Sequence, residues 1–544
     1  MNVNDTTEAL PNRRSFLKRG LQLGAVAGFD PFASVSRAEP TSTAGKTVDI
    51  SSGKIRGKVH DGIHAFKGIP YGAPTGGKMR FMAPVKPEPW PGVRDCFTFG
   101  HQSPQNMNYV EVLAPQANGA ADGYDEDCLC LNVWTPDPSM NRKRPVMFWC
   151  HGGGYAQESG SWPWVDGEAL SRRGDVVVVT INHRLNLFGY FHLGDVGGEK
   201  YAASGNAGML DLVAALTWVR DNIAQFGGDP GQVMIFGESG GGAKVSTLLA
   251  MPSARGLFHR AAVQSGPSLR ANTRDAANAL TKAMLAKLKI GPDRIDDLQS
   301  VPVETLLSVM KSVQSTPGMR ARFGPVLDPK ILPAHPFDPI ASAISSDIPL
   351  IIGCNRTEQT FFSLRDDDAF HLTEEGLAKR IAALAPDADA PRVLATYRAA
   401  YPGASPSEIF FLAGTDRGVR RGSIRLAERK VAQRSAPVYM YVFAWKSPAL
   451  GGKLRSPHTA EIPFVFDNTD IPKFMTAHTS QEKELAAKMS QAWIQFARSG
   501  EPDHKGVLNW PQYDFQKRAT MIFDTTCRVV NDPETETREL WASI

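Results

Sequence analysis

Long apolar runs are missing from this chain. Nothing in it approaches the roughly eighteen consecutive apolar residues that a helix needs to cross a bilayer, and the apolar run 176–181 is far shorter. No stable membrane span is expected. A dominant charge is missing too: 60 Lys and Arg stand against 56 Asp and Glu, for a net charge of +4. Residues 1–38 carry five Lys/Arg and three Asp/Glu, which leaves +2 for the rest. That balance, with no basic patch interleaved with aromatics, argues against nucleic acid as a partner. Cysteine is scarce, with six in 544 residues, too few for a disulfide scaffold. Cys128-Leu129-Cys130 is too tight and has no second ligand pair for zinc. Internal repeats and low-complexity tracts are absent. With 42% hydrophobic and 21% charged residues, the remainder reads as a large globular chain.

The most informative segment is Val233-Met234-Ile235-Phe236 running into Gly237-Glu238-Ser239-Gly240-Gly241. An apolar strand ends in a tight turn with serine at its tip, and a helix-like stretch follows over 243–250. This is the G-x-S-x-G nucleophile elbow in its strand–turn–helix setting. A sharp turn of this kind strains the serine backbone and excludes bulky neighbours, hence the flanking glycines. A serine hydroxyl needs a base, the base an orienting acid, and the developing oxyanion needs donors.

Donors are offered by the apolar run 145–150, which ends in His151-Gly152-Gly153-Gly154-Tyr155. Glycines there let backbone N–H groups converge on one point, and the N–H of Gly240 adds another. Among twelve histidines, His64, His151, His183 and His192 precede the elbow, whereas the order Ser…acid…His requires a late one. His478 and His504 are late but lie in polar stretches that read as exposed loops. His458, in Ser456-Pro457-His458-Thr459-Ala460-Glu461, leads on order and context without excluding the others. An acid is offered by Glu358, just past the strand-like run 348–353, where open α/β sheets place functional groups. A surface glutamate is the blander reading, and Asp366, Asp367 and Asp368 compete, although they form a solvated charge run.

Beyond the elbow, 226–241 as a whole, Glu126-Asp127-Cys128-Leu129-Cys130-Leu131-Asn132-Val133-Trp134, Phe66-Lys67-Gly68-Ile69-Pro70-Tyr71-Gly72, Gly205-Asn206-Ala207-Gly208-Met209-Leu210-Asp211, Gln264-Ser265-Gly266 and Phe496-Ala497-Arg498-Ser499-Gly500 together resemble the type-B carboxylesterase/lipase family, whose relatives include cholinesterases and bacterial carboxylesterases. The likeness runs over about 47–532. It implies an α/β-hydrolase fold with Ser239 as nucleophile, Glu358 as acid and His458 as base. It places oxyanion donors at Gly153, Gly154 and Gly240, and a supporting hydroxyl at Ser265. Glu238 adjoins the nucleophile. Three departures stand out. The residue after the nucleophile is usually alanine in the family, and Gly240 here implies a looser backbone. The family's Cys-Pro-Gln reads Ser103-Pro104-Gln105, so Cys128 lacks its usual disulfide partner unless Cys96 serves. The loop between Ser103 and Cys128 has no tryptophan, against a cation–π site for quaternary ammonium there.

Length alone would suggest several domains, but residues 239 to 458 must meet in one site, which argues for one catalytic domain, 39–544. Apolar runs at 146–150, 176–181, 233–236, 260–263, 348–352 and 438–443 read as buried strands. Leu280/Met284/Leu288, Leu377/Ile381 and Leu485/Met489/Trp493 recur at helical spacing, and Gly500 sits at a helix stop. The pattern is α/β: a mostly parallel central sheet with helices on both faces, and helical insertions, 270–345 and 364–435, over the active site. Asn12-Arg13-Arg14-Ser15-Phe16-Leu17-Lys18-Arg19 resembles a twin-arginine export signal, with Ser36-Arg37-Ala38 as a cleavage site. Residues 1–38 are thus expected to engage that export machinery and deliver the chain to the periplasm or outside. The expected activity is hydrolysis of small carboxylic esters through an acyl-enzyme, with no metal or organic cofactor. Tyr155, Trp162, Trp164, Phe323, Phe361 and Phe362 are candidates for a substrate pocket, though core packing is the commoner fate of each. Thioester, amide or carbamate cleavage on the same triad, a lipase, and a non-catalytic binding module on the same fold are the rivals.

Overall fold

A computed structural model describes residues 43–106, 123–319, 321–386, 389–472, 474–506 and 509–544. The expected leader and its cleavage site lie outside the described residues, as does most of the loop between Ser103 and Cys128. Among the described residues, thirteen strands form one sheet. They are β1 (Thr43–Ile50), β2 (Gly53–His60), β3 (Ile63–Pro70), β4 (Val93–Asp95), β5 (Cys130–Thr135), β6 (Arg144–Cys150), β7 (Val177–Ile181), β8 (Gly228–Glu238), β9 (Arg260–Gln264), β10 (Leu350–Asn355), β11 (Val438–Phe443), β12 (Ala519–Phe523) and β13 (Arg528–Asn531).

The order is β1-β2-β3-β5-β7-β6-β8-β9-β10-β11-β12-β13, with β4 beside β2. From β7 to β12 every neighbouring pair is parallel. Antiparallel pairs occupy the two margins. Each expected buried strand lies in the parallel block, where helices cover both faces and the sequence reads as unbroken apolar runs. The period-2 alternation of a strand still sorts those residues between two cores. Val146, Phe148, Val233 and Ile235 enter one cluster, and Met147, Trp149, Met234 and Phe236 enter the other. The marginal strands β1, β2 and β13 are polar and part-exposed, so they left no apolar signature to read.

The spaced apolar residues do fall on helices, at Arg274–Leu288, Glu374–Leu384 and Ser480–Ser499. The last starts with a capping box, Thr479 and Glu482 exchanging hydrogen bonds with each other's backbone, and stops at Gly500 in the left-handed region (φ 81°). The segment 364–435 builds a small core around Leu377, Ile381, Tyr397 and Phe411, which Leu540 and Trp541 of the helix Thr535–Ala542 complete. The helix after the elbow requires a correction: it runs Gly240–Leu248 rather than 243–250. Three consecutive glycines are poor helix formers, yet the chain must turn helical at once because other backbone lies directly against it.

A buried ion pair ties the loop after β7 to the helix Ala207–Asn222 that precedes the elbow. Arg184 donates to Asp211 through Nε (2.9 Å) and Nη2 (2.6 Å), and its backbone N–H adds a third bond (3.0 Å). Both side chains are essentially unexposed. Asp211→Asn would leave the Arg184 charge buried without its counter-ion, which costs about 3–5 kcal/mol. Urea unfolding followed by tryptophan fluorescence should show that loss as a lower midpoint with an unchanged slope.

Candidate active site

The loops at the C-terminal ends of β6, β8, β9, β10 and β11 meet on one edge of the parallel block, where an open α/β sheet places its functional groups. β8 delivers Ser239 with φ 55° and ψ −120°, a conformation that costs a non-glycine residue about 1–3 kcal/mol. The strain is held by the Ser239 N–H bonded to the Gln264 carbonyl at 2.8 Å and the Ala243 N–H bonded to the Ser239 carbonyl at 3.0 Å.

His458, Ser239, Gly153 and Gly154 line one cavity of about 370 Å³. His458 is buried, and its Nδ1 is hydrogen-bonded to Glu358 Oε2. The other Glu358 oxygen accepts from the Ser265 hydroxyl (2.7 Å) and the Asn355 N–H (2.6 Å). The structure therefore brings together Ser239, Glu358, His458 and Ser265 from distant parts of the sequence. Two of the competing acids are engaged elsewhere, Asp366 with Arg380 and Asp367 with Lys453. Glu238 also approaches His458 Nδ1, at 3.3 Å. Burial, with the charges of Glu461, Glu358 and Glu158, raises its carboxyl well above the usual range.

Glu461 follows His458 by three residues. It proves to be fully buried, accepting from Asn355 Nδ2 at 2.6 Å. Burial and the charge of Glu358 push it up to about 7. The signal was available: an acid three residues past the histidine, at the head of the apolar run 462–466. Burial works against a charged His458, but the charge and hydrogen bond of Glu358, with Glu461 and Glu158, outweigh it and raise the imidazole above its ordinary value.

Gly153 and Gly154 both lie in the left-handed region, at φ 70° and 63°. Among the described residues no backbone carbonyl accepts the N–H of either. The expectation of a looser backbone at Gly240 is overturned. A Cβ there would sit 2.3 Å from the N and O of Gly154, and one on Gly241 would sit 2.0 Å from the Cys150 carbonyl. The two backbones touch, so alanine has no room.

The aromatic candidates divide. Phe361 and Phe362 line the cavity, Phe362 with its ring centroid 4.8 Å from that of His458. Trp162 and Trp164 pack against each other in the core, Phe323 against Phe191, and Tyr155 against Tyr190. The insertion 364–435 reaches the cavity through Arg365, and Gly324 of the other insertion lies against the Tyr155 ring. All six cysteines are free. Ser103, at the position where the resemblance implies a bridging cysteine, hydrogen-bonds the Cys128 thiol instead. Among the described residues no cluster of His, Cys, Asp or Glu is arranged to hold a metal ion.

This sheet, with a strained serine and a buried histidine–carboxylate pair on its C-terminal edge, is an α/β-hydrolase. The model of the carboxylesterase family matches residues 44–541, and the chain belongs to that family. It is 39% identical to the para-nitrobenzyl esterase of Bacillus subtilis over 90% of this chain and 97% of that one. It is 34% identical to a phenmedipham hydrolase of Pseudarthrobacter oxydans over 87% and 94%. The crystal structure of a Geobacillus stearothermophilus carboxylesterase superposes with a TM-score of 0.79 at 38% identity, covering 91% of this chain and 99% of that chain. The protein is a carboxylic ester hydrolase.

A raised His458 keeps its proton to higher pH, and a protonated imidazole cannot act as a base. The acid limb of kcat/KM should therefore lie above about pH 6.5, the ordinary imidazole value. Glu358→Gln removes the charge that raises it and leaves the burial that lowers it. That limb should move to lower pH, with kcat reduced on the order of 10³–10⁴-fold, as a pH–rate series on the variant would show.

Proposed function

We propose that this protein hydrolyses short carboxylic esters through a Ser239 acyl-enzyme. His458 takes the Ser239 proton as the hydroxyl attacks the ester carbonyl. Glu358 holds the imidazole by Nδ1 and stabilises its charged form. The N–H groups of Gly153, Gly154 and Gly240 receive the oxyanion. His458 then protonates the departing alcohol, and water attacks the acyl-enzyme with the same roles reversed. The single observation that carries this reading is the shared cavity, which Ser239 and His458 line together with Gly153 and Gly154, whose N–H groups no backbone carbonyl takes among the described residues.

Two features support small substrates. The cavity, at about 370 Å³, is near the lower end of ligand sites. Phe362 is 59% exposed at its mouth, an unusual position for a large apolar side chain that suits contact with the apolar part of an ester. We further propose that residues 1–38 are a twin-arginine leader and that the enzyme works in the periplasm or outside the cell. The arginine pair Arg13-Arg14 and the small residues at Ser36 and Ala38 support that reading.

Hydrolysis of p-nitrophenyl esters from acetate to laurate tests the proposal. Turnover should peak at short acyl chains and disappear in Ser239→Ala. An optimum at laurate would favour a lipase. Turnover surviving Ser239→Ala would refute the serine mechanism, and a wild type inert towards the whole series would point to thioesters, amides or carbamates, or to a binding role.

A further inference from the structure

One buried charge takes no part in the steps above. Lys244 stands on the helix Gly240–Leu248, five residues past Ser239, and is completely buried. Its Nζ donates to the carbonyl oxygens of His151 at 2.7 Å and Gly152 at 3.1 Å. Taking an ammonium out of water costs several kcal/mol, so a lysine placed here is an expensive way to bond two carbonyls unless its charge matters.

The position of those carbonyls gives the reason. The Gly152 carbonyl and the Gly153 N–H belong to the same peptide group. That peptide is trans, since Asp338–Pro339 is the one cis bond among the described residues. In a planar trans peptide the C=O and N–H point in opposite directions. A cation fixed on the carbonyl side therefore fixes the N–H on the far side. Gly153 lines the cavity that holds Ser239 and His458. A charge on one end of an amide also polarises the other end, making the N–H a stronger donor.

We infer that Lys244 is a positioning residue for ester hydrolysis: gripping the His151 and Gly152 carbonyls from behind, its ammonium aims and polarises the Gly153 N–H toward the oxyanion. This rests on the reading of Gly153 as an oxyanion donor. The helix start explains the close reach. With glycine at 240, 241 and 242, the loop after β6 lies directly on the helix, near enough for a side chain one turn along to reach underneath it.

The surroundings bear on its titration. Around Lys244 stand Cys150 at the end of β6, His151, Glu158 and Tyr155 on the following loop, and His183 stacked on His151 at 4.8 Å. Burial lowers the ammonium to about 8, opposed by Cys150 and Glu158. Burial, with the charge of Lys244, drives both histidines well below the ordinary imidazole range, so neither adds a competing charge near neutrality. Above about pH 8 Lys244 gives up its proton, and the polarisation of the Gly153 peptide goes with it.

The test is kinetics on p-nitrophenyl acetate for wild type, Lys244→Met and Ser239→Ala, with binding of an aryl trifluoromethyl ketone that adds to a serine hydroxyl as a tetrahedral adduct. Lys244→Met should lose about tenfold or more in kcat, less than the 10²–10³ of deleting a donor outright. KM should stay within about threefold, and ketone affinity should fall by the same factor as kcat/KM. Wild-type kcat should decline several-fold above about pH 8, and the variant's should stay level. Unchanged kcat in Lys244→Met, or equal changes in kcat and KM, overturns the inference. If Lys244→Met does not fold, the wild-type profile decides alone: kcat level from about pH 7 to 10 overturns it, and the alkaline decline upholds it. Loss of turnover in Ser239→Ala beside an unaffected Lys244→Met would sink this inference while leaving the serine mechanism intact.

Discussion

Backbone packed directly on backbone is the constraint on which the site depends. The segment that leaves β6 and the helix that leaves the elbow touch with no side chain between them. A Cβ on Gly237, Gly240 or Gly241 would come within 2.5, 2.3 and 2.0 Å of main-chain atoms of Cys150 or Gly154. Main-chain contacts of this kind are stiffer than any contact made through rotatable side chains. They set the distance between the Ser239 hydroxyl and the N–H groups of Gly153 and Gly154 before any substrate arrives. Oxyanion stabilisation needs that preorganisation, because donors that must move into place spend the energy they would contribute. The strained φ of Ser239 belongs to the same arrangement: β6, β8 and β9 are locked in parallel register on either side of the turn, and the sheet absorbs the strain.

The second constraint is electrostatic. Glu238, Glu358 and Glu461 are all buried near a single imidazole, His458. Three carboxylates cannot all be ionised at such close quarters. Their hydrogen bonds differ. Glu358 has the imidazole, a hydroxyl and a backbone N–H as donors. Glu461 has the Asn355 amide at 2.6 Å and a longer contact from Gln264 at 3.4 Å. Glu238 Oε1 is buried with no hydrogen-bond partner among the described residues. Burial among the other carboxylates raises Glu238 well above the usual range and Glu461 to about 7, and Glu358 is the carboxylate that holds the His458 imidazole.

Scarcity of cysteine has a structural counterpart. Ser103 meets the Cys128 thiol, and its hydroxyl also accepts from the Leu185 N–H at 3.1 Å. Gln105 bonds both the N–H and the carbonyl of Glu158. Asn186 donates to the Pro104 carbonyl at 2.8 Å. Hydrogen bonds anchor this end of the loop where a disulfide would otherwise do so. The Arg184–Asp211 pair next to Leu185 secures the same corner.

Much of this was legible in the chain itself. The parallel strands announced themselves as apolar runs because both of their faces are covered, and the elbow because only glycine fits around a strained serine. The amphipathic helices were visible through their spacing, and Gly500 marked a helix end through its left-handed backbone. Polar strands at the sheet margins were not legible, because half-exposed residues carry no clear period. Local sequence alone could not choose between His458 and its rivals, or between Glu358 and the aspartates 366–368. That choice is one of proximity across a hundred residues, and only the parallel pairing of β10 with β11 brings the loops that follow them, and the two groups, within a hydrogen bond. The meaning of Gly240 was reversed for the same reason: read alone it suggests slack, and in the structure it is the only residue that fits. Nothing beside Lys244 in the sequence reveals the two carbonyls from another loop that its ammonium meets. The sequence by itself determined which chemistry is possible, through residue types and the turn that displays the serine. The tertiary structure alone decided which charges survive burial and where each N–H points, because desolvation and peptide orientation depend on neighbours that are remote along the chain.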